Sequence, residues 1–504
     1  MKSRIARAAL ALAALLVGSP GIAAPPKPKL IVAIAVDQFS ADLFAEHRAN
    51  FTGGLKRLAD GVIFPSGYQS HAATETCPGH ATILTGARPA RSGIIANSWY
   101  DLGLDRADKK VYCAQDPGAP GSSSEHYVVS PRLLKVPTLG DRLKAADPRS
   151  RVVSVAGKDR AAVMLGGHAA DQIWYWGGKG FVTLSDRPAP PPAIVRQVNA
   201  LIAPRTSDPK AFRVSPEFDA ATADVAIGLL RTMKLGHGAA TDLLAIGLSA
   251  TDYVGHRFGT EGPEMKAQIA ALDQAIGRIF AALDANGAPY VIALTADHGG
   301  HDTPERNQLR GIPEAARVDP ALLPENFGAA LAADLKFDPA RSPIYADGPF
   351  GDWYFARTSA ANLRDIARNR LLAHPQVVAA FTAEELRALP QPSGPPDEWT
   401  LAERARASFD PSRSGDLIVL LKPRITPISD GAKGTVATHG LPWDYDRRVP
   451  ILFWWPGVSG FEQPLSVETV DILPTLAGLI RLTVPKGEID GRCLDLDPSE
   501  NSTC

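Results

Sequence analysis

At 504 residues, 45% hydrophobic and 21% charged, the chain can bury a large core and lacks the polar bias of a disordered protein. Its 53 Lys and Arg against 54 Asp and Glu leave a formal charge of −1, with no cationic excess to neutralise a polyphosphate backbone. That balance argues against nucleic acid as a bound partner.

In chain order, Lys2, Arg4 and Arg7 precede an apolar run at 8–17 and then small residues up to Ala23 and Ala24. This is the pattern of an export signal over residues 1–23, cut after Ala23 or Ala24. The run is shorter than the ~20 apolar residues of a bilayer span, and no later stretch is long enough, so the mature chain is expected to lack a transmembrane segment. A periplasmic or secreted location follows as an expectation, and that compartment permits disulfides. Four cysteines allow three pairings. Closing the shorter loops favours Cys77 with Cys113 and Cys493 with Cys504.

Leu30–Val36 reads LIVAIAV, the composition of a strand buried on both faces of a parallel sheet. Comparable runs lie at 152–155, 243–248, 290–295, 417–421 and 451–455. Between them fall helical patterns, such as 263–283, stopped by Asn286-Gly287. Alternating strands and helices predict a layered α/β sheet. In such sheets functional residues sit just past the carboxyl ends of strands, where Asp37, Asp252 and Asp297 all fall. Proline-rich stretches at 188–192 and 390–396 read as loops. The segments at about 98–235 and 301–430 carry few strong strands. They read as insertions roofing a single catalytic domain over 24–504.

Six side chains of metal-ligand type end short apolar runs and make two three-ligand sets. Asp252 and His256 in SATDYVGHRFG join His439 in ATHGLPWDYDRRVP; the four-residue spacing fits one face of a helical turn, and Gly255 fits a tight loop equally well. Asp37 joins Asp297 and His298, where Gly299 and Gly300 let the backbone turn so that adjacent side chains point inward. Singly, each is as readily a cap or an ion-pair partner. Jointly, carboxylates and imidazoles suit a borderline divalent ion such as zinc, and two open metals side by side suit phosphoryl chemistry.

Thr76 precedes Cys77-Pro78-Gly79-His80 and a helix-like run, which puts it near a helix N-terminus with Pro78 in the first turn. That position offers unpaired N–H groups to a phosphate, and a metal can activate the hydroxyl as a nucleophile. The plainer reading is an N-cap. Lys158 and Arg160 follow the run at 152–155; in isolation such a pair is a solvated surface feature.

Asp37, TETCPGHATILTG, GKDR, TDYVGH, ADHGG and THG, in this order, resemble the alkaline phosphatase superfamily, and most closely its phosphate-irrepressible branch with a threonine nucleophile. The resemblance spans about residues 30–480. It implies an alkaline phosphatase-like α/β/α sandwich with cap insertions around a largely parallel sheet, two Zn2+ ions, and Thr76 rather than Thr74 as nucleophile and ligand. It also implies that Asn97 donates its amide to a non-bridging phosphate oxygen. A monoester dianion presents one more charged oxygen than a diester, so Lys158 and Arg160 point to small-molecule phosphate monoesters, cleaved through a phosphothreonine intermediate. Relatives that cleave diesters and nucleotide pyrophosphates share the threonine, asparagine and ligands but generally lack the Lys-x-Arg pair. A sulfatase is excluded because Cys77-Pro78-Gly79-His80-Ala81 departs from C-x-P-x-R. The alternative of another class, an exported metal-stabilised binding protein, leaves Thr76 without a purpose. Trp443 and Asp444 are expected to support His439 from behind, and His80 to brace the nucleophile helix.

Overall fold

Side chains of a strand alternate between its faces, so a seven-residue run with no polar member needs cover on both sides. Strand β1 (Leu30–Val36) receives it: Leu30, Val32, Ile34 and Val36 enter one buried cluster, and Ile31, Ala33 and Ala35 enter another. The computed structural model describes residues 27–185, 190–337, 342–356, 362–498 and 502–504. The expected export signal and residues 188 and 189 of the first proline run lie outside them. Among the described residues no helix is long and apolar enough to cross a membrane.

β1 lies within a ten-stranded sheet that continues through β2 (Val62–Tyr68), β3 (Val152–Ala156), β4 (Gln172–Trp176), β5 (Phe181–Val182), β6 (Asp242–Leu248), β7 (Tyr290–Thr295), β8 (Arg448–Trp454), β9 (Phe461–Glu462) and β10 (Val467–Glu468). In space the order is β9-β2-β8-β7-β1-β6-β3-β4-β5, with β10 also on β2. The central strands β7, β1, β6, β3 and β4 run parallel, and β8 is antiparallel to both of its neighbours. Helices cover both faces. α1 (Thr76–Thr85) and α2 (Asp159–Gly166) pack on the Ile31 side, while α3 (Pro216–Thr232), α4 (Ala250–Phe258) and α5 (Pro263–Asn286) pack on the Leu30 side. α5 ends where expected, with Gly287 in the left-handed region at φ 73°. The fold is therefore an α/β layered sandwich.

Two expectations change, and one strand had not been expected. Leu417–Leu421 is buried on both faces but belongs to a separate antiparallel sheet with Ile344–Ala346, Gly351–Phe355 and Val377–Thr382. Its two sides enter two small clusters of the cap, so double burial does not tell one sheet from another. The segment 98–235 does more than roof the sheet, because beside the expected β3 it supplies β4 and β5. β2 was hidden by Pro65, which has no N–H to donate; Val449 pairs with Gly67 and Ile451 with Phe64, a register shift that bypasses it. Disulfides join Cys77 to Cys113 and Cys493 to Cys504, the pairings that short loop closure favours.

Candidate metal and phosphoryl-transfer site

Four neighbouring parallel strands bring their carboxyl ends to one edge, and each is followed within a few residues by a charged side chain. Lys158 follows β3, Asp252 follows β6, Asp37 follows β1 and Asp297 follows β7. The region after β6 is helical, so Asp252 and His256 share one face of α4 through their four-residue spacing. His439 arrives from the loop before β8.

All three imidazoles are oriented the same way. Nδ1 of His256 lies 2.9 Å from the Ala437 carbonyl, Nδ1 of His298 lies 2.9 Å from that of Gly299, and Nδ1 of His439 lies 2.8 Å from that of Thr74. Donating Nδ1–H to a carbonyl leaves the Nε2 lone pair free as a ligand. The expectation for Trp443 and Asp444 is corrected here. Trp443 donates to the Leu421 carbonyl and Asp444 faces Arg447, so backbone carbonyls orient the histidines instead.

The free nitrogens converge on carboxylates. His256 Nε2 is 3.2 Å and His439 Nε2 3.5 Å from Asp252 Oδ1, while His298 Nε2 is 3.4 Å from Asp37 Oδ1 and 3.3 Å from Asp297 Oδ2. Asp37 Oδ1, Asp252 Oδ1 and His298 Nε2 are buried without a hydrogen-bond partner. Lone pairs facing carboxylates in a dry site are costly unless cations lie between them, so these residues fit divalent metals. Two ligand groups emerge, Asp37 with Asp297 and His298, and Asp252 with His439 and His298. His298 reaches both because its ring stacks on that of His439 at 3.5 Å. His256 joins at the more open side, through Asp252.

Charge is balanced within the cluster. Lys158 Nζ lies 2.5 Å from Asp252 Oδ2 and 2.6 Å from Asp37 Oδ2. Burial works against its ammonium, but the two carboxylates hold its pKa above the ordinary lysine range. Burial likewise opposes ionisation of Asp252, and His256 and Lys158 overcome it, leaving that carboxyl well below its usual range. His298 is pushed up to about 9, since Asp297 and Asp37 outweigh its burial, whereas burial and the neighbouring His298 bring His439 down to about 4. A divalent cation held by these ligands would take the place of the His298 proton.

Thr76 opens α1 as its first helical residue. The cap position belongs to Glu75, so the Thr76 hydroxyl is not an N-cap. The next N–H, of Cys77, donates to Asn97 Oδ1 at 2.8 Å. This orients Asn97 with its amide nitrogen outside the hydrogen bonds of the described residues. Arg160 Nη2 stands 3.4 Å from Thr76 Oγ1, and among the described residues Arg160 has no carboxylate in ion-pair contact. His80 braces the arrangement: its Nδ1 is 2.9 Å from the Thr76 carbonyl and 3.0 Å from Asp297 Oδ2.

Three contributors escaped the sequence reading. Asp159 accepts from the hydroxyls of Tyr112 at 2.7 Å and Tyr127 at 2.9 Å, and the Tyr112 oxygen lies 3.4 Å from Arg160 Nη1. An acid between two expected cations was the available signal for Asp159. Nothing local distinguished the tyrosines.

A hydroxyl at a helix N-terminus, two facing cations and paired metal-ligand sets equip this edge for attack on a phosphoryl group. The model of the type I phosphodiesterase/nucleotide pyrophosphatase family matches residues 31–442. The chain belongs to that family, within the alkaline phosphatase superfamily. Alkaline phosphatase PhoK of a Sphingomonas species is 54% identical over 526 residues, covering 96% of this chain and 93% of its own. Alkaline phosphatase PhoD of Zymomonas mobilis is 53% identical over 516 residues, covering 94% and 89% respectively. The crystal structure of alkaline phosphatase PafA superposes with a TM-score of 0.80 at 25% identity, over 93% of this chain and 98% of that one. This family member is a phosphoester hydrolase with a metal-binding site.

Proposed function

We propose that the enzyme hydrolyses phosphate monoesters to an alcohol and inorganic phosphate through a phosphothreonine intermediate on Thr76. Asp37, Asp297 and His298 with Thr76 Oγ1, and Asp252, His256 and His439, are the residues that would hold two zinc ions, which when bound polarise the phosphoryl group and favour the ionised hydroxyl.

The chain's own groups carry the rest. Thr76 Oγ1 forms a bond to phosphorus as the ester P–O bond breaks and the alcohol leaves; water then breaks the P–Oγ1 bond, releasing phosphate and restoring the threonine. The Arg160 guanidinium beside Oγ1 favours its alkoxide form and afterwards faces the transferred group. Asn97, Lys158, Arg160 and the N-terminus of α1 stabilise charge on the equatorial oxygens in both displacements. The observation that carries the monoester reading is this arginine beside Thr76 Oγ1, without an ion-paired carboxylate among the described residues and paired in sequence with a buried lysine. The export-signal pattern and the two disulfides support a periplasmic or secreted enzyme.

Diester hydrolysis is the second reading, supported by the description of the matching family. Parallel assays on an aryl phosphate monoester and its diester separate the two, with faster monoester turnover expected. Acid quenching during turnover should trap phosphate on the Thr76 peptide, and elemental analysis should find two zinc ions per chain. Near-full activity in Thr76→Ala would sink the nucleophile assignment.

A further inference from the structure

Lys158 and Arg160 line one side of a cavity of about 470 Å³ whose other walls the reaction above does not use. Trp176 and Tyr253 form part of its wall, and the short helix Pro209–Arg213 adds two more cations, Lys210 and Arg213. The Arg213 guanidinium lies 4.6 Å from the centre of the Tyr253 ring, and the Lys158 ammonium lies 5.1 Å from the same centre. The two charges are thus at most about 10 Å apart.

Among the described residues neither Lys210 nor Arg213 forms an ion pair, and Arg213 Nε is buried without a hydrogen bond. Asp159, the acid on this wall, is occupied by the Tyr112 and Tyr127 hydroxyls. Cations with no ion pair among the described residues, lining the same cavity as Lys158 and Arg160, form a site for a second anion, and Arg suits the oxygens of a phosphate. Tyr253 directly follows Asp252 on α4, so the cavity adjoins the ligand set of Asp252, His256 and His439.

We propose that this cavity binds a second phosphate carried on the alcohol portion of the substrate, so that bisphosphorylated small molecules are preferred over the monophosphates of the same alcohols. The proposal rests on the monoesterase reading. One phosphate passes to Thr76 as its ester bond breaks, the alcohol departs with the other still attached, and water releases the first as inorganic phosphate.

The test is kcat/KM on a sugar bisphosphate and on the matching monophosphate, for the wild type, Lys210→Ala, Arg213→Ala, the double variant and Arg213→Lys. The wild type should favour the bisphosphate by about tenfold or more, the effect of a hydrogen bond to a charged group. The double variant should lose that ratio mainly through KM, Arg213→Lys should keep part of it, and added salt should compress it. Using the ratio within each variant separates the subsite from general damage, and exposed Lys210 can be replaced without touching the core. Equal rates on the two compounds in the wild type, or an unchanged ratio in the double variant, would overturn the subsite while leaving the monoesterase intact. Release of phosphate from neither compound would sink the monoester reading and the subsite together.

Discussion

Gly79 packs so tightly against Asp297 that a Cβ on the glycine would stand 1.9 Å from the Asp297 carbonyl oxygen. α1, which carries the proposed nucleophile Thr76, and the loop carrying the candidate metal ligands Asp297 and His298 are therefore in direct backbone contact. Gly79→Ala should push α1 away from the cluster, costing about 1–3 kcal/mol through overpacking. Moving the hydroxyl relative to its ligands should reduce kcat by about 10²-fold. Thermal unfolding and phosphate release measure the two effects. A variant with normal kcat would show that the helix can shift without disturbing the chemistry.

Lys158 and Arg160 are predicted to favour the dianion. Replacing both with alanine should lower kcat/KM on an aryl monoester by about 10²-fold or more, given roughly 1.5–3 kcal/mol per charged hydrogen bond, and reduce diester hydrolysis far less. Lys158 also neutralises Asp37 and Asp252, so metal content must be measured in the same preparation. Equal losses on both substrates would remove the physical basis for the monoester preference.

Much of this site was legible because a parallel sheet converts sequence position into spatial position. Asp37, Asp252, Asp297 and Lys158 each follow an apolar run, and adjacent parallel strands must end at the same edge. α1 was legible only at its start, since all ten of its residues are buried and it shows no amphipathic face. Backbone carbonyls that orient imidazoles have no residue identity to read, so Thr74, Ala437 and Gly299 were invisible where Trp443 and Asp444 looked suitable. The Asp159 to Tyr112 and Tyr127 contacts are invisible for a related reason: they join α2 to the short strand Lys110–Tyr112 and to a loop, with no periodic signal.

Metal removal should destabilise the fold. Buried carboxylate and imidazole atoms without partners mean that ions binding the native state stabilise it by mass action. A chelator should lower Tm and zinc should restore it, with Tm rising as free zinc rises. Asp297→Asn should flatten that dependence by weakening one ligand set. An unchanged Tm after elemental analysis shows the metal gone would contradict this account of the orphaned atoms.

Asp219, which belongs to neither metal-ligand set, links stability to pH. It lies at the base of α4, where Oδ1 accepts from the N–H groups of Ser249 at 2.8 Å and Ala250 at 3.0 Å, and Oδ2 accepts from Gln268 at 3.0 Å. Burial pushes its carboxyl up to about 6 against the pull of those hydrogen bonds. In the unfolded chain an Asp titrates near 3.9, so between about pH 4 and pH 6 the folded state holds a proton that the unfolded state has released. Stability from this group is full below about pH 4, falls as pH rises to about 6, and stays lost above it, a change on the order of 2–3 kcal/mol. Asp219→Asn keeps the acceptor for both N–H groups and can donate to Gln268 Oε1, which has no partner at present, once that amide turns over. The variant should therefore gain on the wild type as pH rises from 4 to 6 and hold the gain at alkaline pH. Urea titrations of both proteins at pH 4, 6 and 8 measure it, and parallel stability curves would mean that the Asp219 carboxyl is already ionised in the native protein at low pH.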